Sequence, residues 1–276
     1  MIYTSRFGDF VLRLFPAVFI LLYISACAVK PASDLDSSEY HHKAGMRHVE
    51  MGQYNEALTS FNRATDLDKK FAPAYAGIGI AYANMADKKK AKKYAGKAQG
   101  LAGKDPDVLT LCARVWIDLR HQEKKWYKDA GKLLKKALKR KKNHEGATYY
   151  TGELFLYQYE FSQAEDHFRK VVEMKGEYSA KADKMWQMSQ KIVRAMPGTL
   201  AGKKVALHEE ITRADLAVLL AEELKISTLI ERQTTPATGF LTPEEMRAEN
   251  SPAGGPSDSK GHWAEVWINE LSQYGI

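Results

Sequence analysis

Small, apolar and polar residues follow a helical rhythm from Gly45 to Asp68, GMRHVEMGQYNEALTSFNRATDLD. Apolar and small positions return every three or four residues in two runs separated by a short polar turn, which predicts a helical hairpin. The pattern then recurs. Gly45 comes back as Gly79, Ala57 as Ala91, Ala64 as Ala98 and Leu67 as Leu101, each 34 residues on, a period typical of stacked helix–turn–helix units. A further copy keeps the internal spacing with Gly152, Ala164, Phe168 and Val171. The third copy shows its second helix through Ala130, Leu134 and Ala137. It takes 17 residues from Ala113 to Ala130 where the others take 12, so His121–Trp126 must lengthen a helix or a turn.

Close packing explains these residue types. A small residue in the first helix (Gly45, Gly79, Gly152) is expected to face a small one in the second (Ala57, Ala91, Ala164). Phe61 and Phe168 would fill the space where one pair meets the next, and Ala64 or Ala98 would let the following pair dock. Four copies with coincident small positions resemble the tetratricopeptide repeat (TPR) family over Ser38–Tyr178. The resemblance implies an all-α solenoid of helix–turn–helix repeats. An amphipathic helix at Ala180–Ala195 is expected to cap the last repeat.

In the TPR family the first helices line a concave groove that meets the ligand. Projected onto this chain, the groove positions are His42, Met46, Val49, Ala76, Ile80, Ala83, Asn84, Arg114, Ile117, Tyr149, Glu153, Leu156 and Tyr157. The Lys/Asn/Arg clamp with which one TPR subclass holds terminal carboxylates is missing, since His42 and Met46 stand at its opening positions. A mostly apolar and aromatic set suits an extended or helical peptide with apolar anchors.

The amino terminus changes the setting. Arg6 and Arg13 precede the uncharged run Leu14–Ala26, too short to span a bilayer but the right length for a secretory apolar region. It ends in Ile24-Ser25-Ala26-Cys27, which resembles the lipobox of bacterial lipoproteins. That resemblance implies a signal peptide over 1–26, lipidation of Cys27 and a membrane anchor made durable by more than one acyl chain. Ala28, not aspartate, after the cysteine points by the same resemblance to the outer membrane, facing the periplasm. Residues 27–37 read as a polar tether.

Charge is uneven. The net charge is +7, yet 19 of the 41 Lys and Arg and only 6 of the 34 Asp and Glu fall between Asp87 and Lys142. The basicity is one patch on second helices and the turns after them. It is read as a solvated helix face or, behind a signal peptide, as a surface for lipid phosphates, lipopolysaccharide or wall polymers rather than nucleic acid. Two cysteines make no disulfide framework, and Cys112 reads as a core residue. His41, His42 and His48 lack a third ligand at useful spacing, so no metal and no cofactor is expected.

Past Pro197 the composition shifts. Thr212 reads as a helix N-cap with Asp215 returning the bond, and the helix is expected to reach Leu224. A linker rich in Thr, Pro, Gly and Ser follows from Ser227 to Lys260. The last run, HWAEVWINELSQYGI, reads as an amphipathic helix with Trp263, Trp267 or Ile268, and Leu271 inward and Gly275 closing it. EITRADLAVLL and HWA…GI resemble the two halves of an S-layer homology (SLH) module, in reverse order and incomplete. This implies Arg213 as a contact to wall polymer.

The domains expected are therefore a signal peptide (1–26), the tether (27–37), the TPR solenoid (38–178), a capping helix (179–196) and the SLH-like region (197–276). No constellation of nucleophile, base and acid is recognisable, so no enzyme is expected. The leading expectation is a membrane-anchored periplasmic scaffold that holds other envelope proteins in its groove. The alternative is a tether from the outer membrane to peptidoglycan or another wall polysaccharide through the SLH-like tail.

Overall fold

The computed structural model describes residues 36–208, 210–234 and 259–275. Regular structure among them is helical throughout. In chain order it comprises α1 (Ser38–Glu50), α2 (Tyr54–Leu67), α3 (Ala72–Asn84), α4 (Lys88–Ala102), α5 (Pro106–Asp118) and α6 (Trp126–Arg140). There follow α7 (Glu145–Leu156), α8 (Phe161–Met174), α9 (Ser179–Ala195), α10 (Leu200–Val205), α11 (Arg213–Val218), α12 (Ile226–Thr234) and α13 (Glu265–Ser272). The described residues divide into two compact units, one within Met1–Leu154 and Lys170–Ser179, the other within Phe155–Arg169 and Ala180–Ile276. The fold is all-α and follows the helix–turn–helix solenoid pattern.

In the first unit, α1 with α2, α3 with α4 and α5 with α6 pack as hairpins, while α1, α3 and α5 also pack side by side. Each hairpin starts and turns by local chemistry. Ser37, Asp87 and Asp105 accept backbone N–H bonds at the starts of α1, α4 and α5, removing orphan donors. Pro106 sits in the first turn of α5, where its missing N–H costs nothing.

Three of the turns share one geometry. Gly52, Ala86 and Tyr159 all lie in the left-handed region, with φ of 73°, 62° and 64°. The next residue sends its N–H back to the carbonyl five before it: Gln53 to His48, Asp87 to Tyr82, Glu160 to Phe155. This is the Schellman closure. The third repeat departs from it. Its excess residues lengthen the turn, and Leu119 accepts from both Gln122 and Glu123 while Arg120 stays out of the left-handed region. Glu123 in that turn pairs with Lys88 and Lys92 of α4.

Packing in this unit depends on contact at van der Waals limits. Phe61 is fully buried. A methyl group placed on Gly45 would come within 2.5 Å of its ring, and one on Gly77 within 2.4 Å. The ring therefore lies clamped between α1 and α3. Phe61 thus fills the space where the first pair meets the next, as expected, and Gly77 is the glycine that the repeat pattern did not single out. Gly79 does meet its expected neighbour, since its Cβ would sit 3.2 Å from the Ala91 carbonyl. Cys112 is fully buried, and burial pushes its thiol up to about 12.

In the second unit a small core joins Val205, Val218 and Ala264, with Trp267 and Ile268 packed against it. The Thr212–Asp215 capping box is formed. Burial raises the Asp215 carboxyl, but hydrogen bonds from Thr212 and His208 outweigh it and hold the group below its usual range. α11 runs on as one wide turn, Leu219–Glu223, and ends at Leu224. Two expectations change. Trp263 is 55% exposed rather than inward, because α13 begins at Glu265 and Ala264 takes the core position. The expected linker opens with α12, a helix over Ile226–Thr234. Its remainder over 235–258 lies outside the described residues, as do the signal peptide, Cys27 and the tether as far as 35. The tether's last two residues are held: Asp36 accepts from Arg63 and His41, and Ser37 caps α1.

Gly77→Ala should lower stability by about 1–3 kcal/mol, because Phe61 has no free side to move toward. Gly96→Ala, whose added methyl meets nothing within 4 Å inside α4, should raise stability by up to about 1 kcal/mol. Urea unfolding of the two variants checks both signs.

Candidate binding face of the first helices

The first helices α1, α3 and α5 end on residues in strict repeat register, Glu50, Asn84 and Asp118, each 34 residues apart. Between them lies Arg114, one turn back on α5 and only 9% exposed. Its Nη2 forms an ion pair with Glu50 Oε1 at 2.9 Å, and its Nε lies 3.7 Å from Asp118 Oδ2. Asn84 Nδ2 donates to the same Asp118 oxygen at 3.0 Å and to the Ile80 carbonyl at 2.9 Å. The guanidinium also stands 5.7 Å from the Tyr150 ring centre on α7, a cation–π contact. Further along α7, Tyr149 Oη donates to Glu153 Oε1 at 2.8 Å.

Electrostatics follow from this enclosure. Burial pushes the Asp118 carboxyl up to about 6, Glu153 pushes the same way, and Arg114 and Asn84 pull it back. Burial disfavours the charged form of Arg114, but Tyr150, Asp118, Glu50 and Glu153 more than offset this and raise its pKa. Burial depresses His42 to about 4, so its ring is neutral at pH 7. It packs against Phe61 and Phe71, and its Nε2 has no hydrogen-bond partner among the described residues.

Only part of the projected groove is open. Val49, Ala76, Ile80, Ala83, Ile117, Tyr149 and Leu156 are buried, which corrects the picture of an apolar wall. The reason is the side-by-side packing of the first helices. α3 is apolar on every face and is flanked by α1 and α5, so its outward apolar positions are consumed in the seams. His42, Met46, Glu153 and Tyr157 are half-buried and Asn84 is exposed. Leu156 and Tyr157 belong to the second unit. Arg114 is brought into contact with Glu50 and Asp118, two residues the projection omitted. Their signal was the register of Asn84: one period back and one period on lead to both.

The remaining candidates lie elsewhere. His41 bonds Asp36 and His48 bonds Gln53; no cluster of metal-ligating residues occurs among the described residues. Arg213 is exposed at the first position of α11. The face thus offers fixed carboxylates, an amide and a held guanidinium across three repeats, an arrangement for recognition by hydrogen bonds and charge.

Family comparison agrees with the repeat reading. Residues 45–85 match a model described as TPR repeat, and residues 72–105 match one described as Tetratricopeptide repeat. No curated protein matches the chain. A solved structure described as "Functional Characterization of Pseudomonas Aeruginosa pilF" is 15% identical, covers 77% of this chain and 97% of its own, and superposes with a TM-score of 0.41. A similarity this loose says nothing about what the present chain binds.

Asp118 should titrate near pH 6 by carboxyl 13C NMR, against about 4 for an ordinary aspartate. Because its folded pKa lies above the unfolded value, its contribution favours folding at low pH and is lost as pH rises from about 4 through 6. Arg114→Met should move the midpoint higher still; a fall would contradict the pairing.

Proposed function

With TPR repeats established over residues 45–105, we propose that this chain is a scaffold of the bacterial cell envelope. Lipidated at Cys27 and facing the periplasm from the outer membrane, it takes a segment of another envelope protein on its first-helix face. The observation that carries the reading is the polar register Glu50–Asn84–Asp118 held together by Arg114. Ordinary packing does not require three successive repeats to end on hydrogen-bonding side chains around one enclosed guanidinium. A peptide laid across them meets a carboxylate, an amide and a second carboxylate at successive repeats, with His42, Met46 and Glu153 beside it. Val49, Ile80, Ile117 and Tyr149 act by holding the helices in place.

A photo-cross-linking residue at Asn84 should capture a discrete envelope protein in growing cells. The same residue at Thr59, exposed on the second helix α2, should not. Equal capture at both positions, or none at Asn84, would remove the scaffold reading.

A second reading has support in Arg213, which is exposed beside a formed capping box in a region that resembles part of an SLH module. Here the chain ties the membrane to peptidoglycan or another wall polysaccharide. Fractionation tests the anchor and the tether together. Cys27→Ser should leave the membrane fraction, and Arg213→Glu should lose co-sedimentation with purified wall. Unchanged sedimentation of Arg213→Glu discards the tether.

A further inference from the structure

The basic patch contains a shaped recess. A cleft of about 920 Å³ lies between the end of α4, Leu109 of α5, and Lys136, Lys139 and Arg140 of α6, with Lys104 completing its rim. A second cleft of about 480 Å³ continues it past Trp116, Lys132 and Leu133. The two share Gln99 and Lys136, so they form one trough along α6.

Its cations differ from those nearby. Lys88 and Lys92 are paired with Glu123, Lys90 with Asp87, and Lys97 lies 3.8 Å from the Tyr75 ring centre. Lys104, Lys132, Lys136, Lys139 and Arg140 are exposed and make no ion pair among the described residues. Among the described residues, Asp129 is the one carboxylate lining either cleft. The C-terminal ends of α4 and α6 carry partial negative charge that cations complement. Two half-charges leave most of five positive charges uncompensated.

The floor narrows the choice of ligand. Leu101 is 41% exposed at the larger cleft and Trp116 is half-buried at the smaller one, while Leu109 and Leu133 back the two clefts as buried residues. A strongly hydrated polyanion would satisfy the rim and leave this floor wet. A flat bilayer surface would meet the outermost ammonium groups without entering. A peptide that alternates carboxylates with apolar side chains serves both parts. Lys132 to Arg140 spans about 12 Å of helix, the length of roughly four extended residues.

We propose that this trough is a second binding site, for an acidic segment of a protein partner carrying apolar side chains between its carboxylates. It is built on α4 and α6 with Leu109 and Trp116 of α5, and its lining includes none of Glu50, Asn84, Arg114 and Asp118 of the first-helix face.

Fluorescence anisotropy of a labelled twelve-residue Leu/Glu peptide, titrated with the full chain in detergent, tests it. Binding should weaken as salt rises, and the matching Leu/Gln peptide should bind roughly ten-fold less tightly or worse. The Lys136→Glu/Lys139→Glu/Arg140→Glu variant should lose at least about ten-fold in affinity. Gly100→Glu is the second variant: Gly100 lines the cleft, is exposed, and an added Cβ there meets nothing within 4 Å, so it adds a carboxylate at the trough with no clash against α4 at the Cβ. It should weaken the peptide comparably, and Asn84→Ala should leave it unchanged. Equal binding of the Leu/Gln peptide overturns the proposal. So does affinity kept within two-fold in both trough variants. Anionic vesicles (30% phosphatidylglycerol in phosphatidylcholine) captured through these residues while the peptide is ignored would overturn it in favour of a membrane surface.

Discussion

The first unit depends on one aromatic ring held where side chains would otherwise be. Phe61 from α2 enters between Gly45 of α1 and Gly77 of α3, and neither neighbour can carry even a methyl group at the observed spacing. Burying such a ring stabilises by about 2–3 kcal/mol. Its larger effect is geometric: it sets how closely consecutive hairpins approach. Once α1 and α3 close on that ring, α3 is flanked on both sides and its apolar positions have no route to solvent. Every later feature of the first-helix face follows from that closure.

Closure exchanges one kind of surface for another. Apolar side chains that would have offered a greasy wall are spent between helices. What remains accessible are the polar residues at the ends of α1, α3 and α5 and the half-buried His42 and Met46. A buried guanidinium among several carboxylates contributes little to net stability, because desolvation offsets much of the attraction. It does impose orientation, since Arg114 can satisfy Glu50, Asp118 and the Tyr150 ring only if the three repeats keep their register. That network is therefore suited to presenting a fixed pattern of donors and acceptors.

The second helices solve a different problem. Their inner faces are alanine, as at Ala91, Ala95, Ala98, Ala130 and Ala137, all buried. Their outer faces carry the lysines. Some of those lysines are absorbed locally by Glu123, Asp87 and aromatic rings, which ties the long third turn to α4. Others border a recess. Identical residues in one run of sequence thus end with separate tasks, decided by which of them a fold-brought carboxylate can reach.

Much of this was legible in one dimension. The 34-residue return of glycine and alanine marked the hairpins, the excess at His121–Trp126 marked the irregular turn, and Thr212 with Asp215 marked a helix start, because each reflects chemistry confined to a few neighbouring residues. Periodicity also marked which positions face away from a hairpin's own partner. It cannot say whether those positions meet solvent or the next hairpin, and only the folded chain decides that Ile80, Ile117 and Tyr149 are buried. Gly77 was invisible for the same reason: its need to be small comes from a ring sixteen residues earlier, across a helix interface. Glu50 and Asp118 gained meaning only when folding brought Arg114 between them. Local turns and caps are decided by bonds within one stretch of chain. Burial, pairing and pKa are decided by which distant surfaces meet, and that belongs to the tertiary structure.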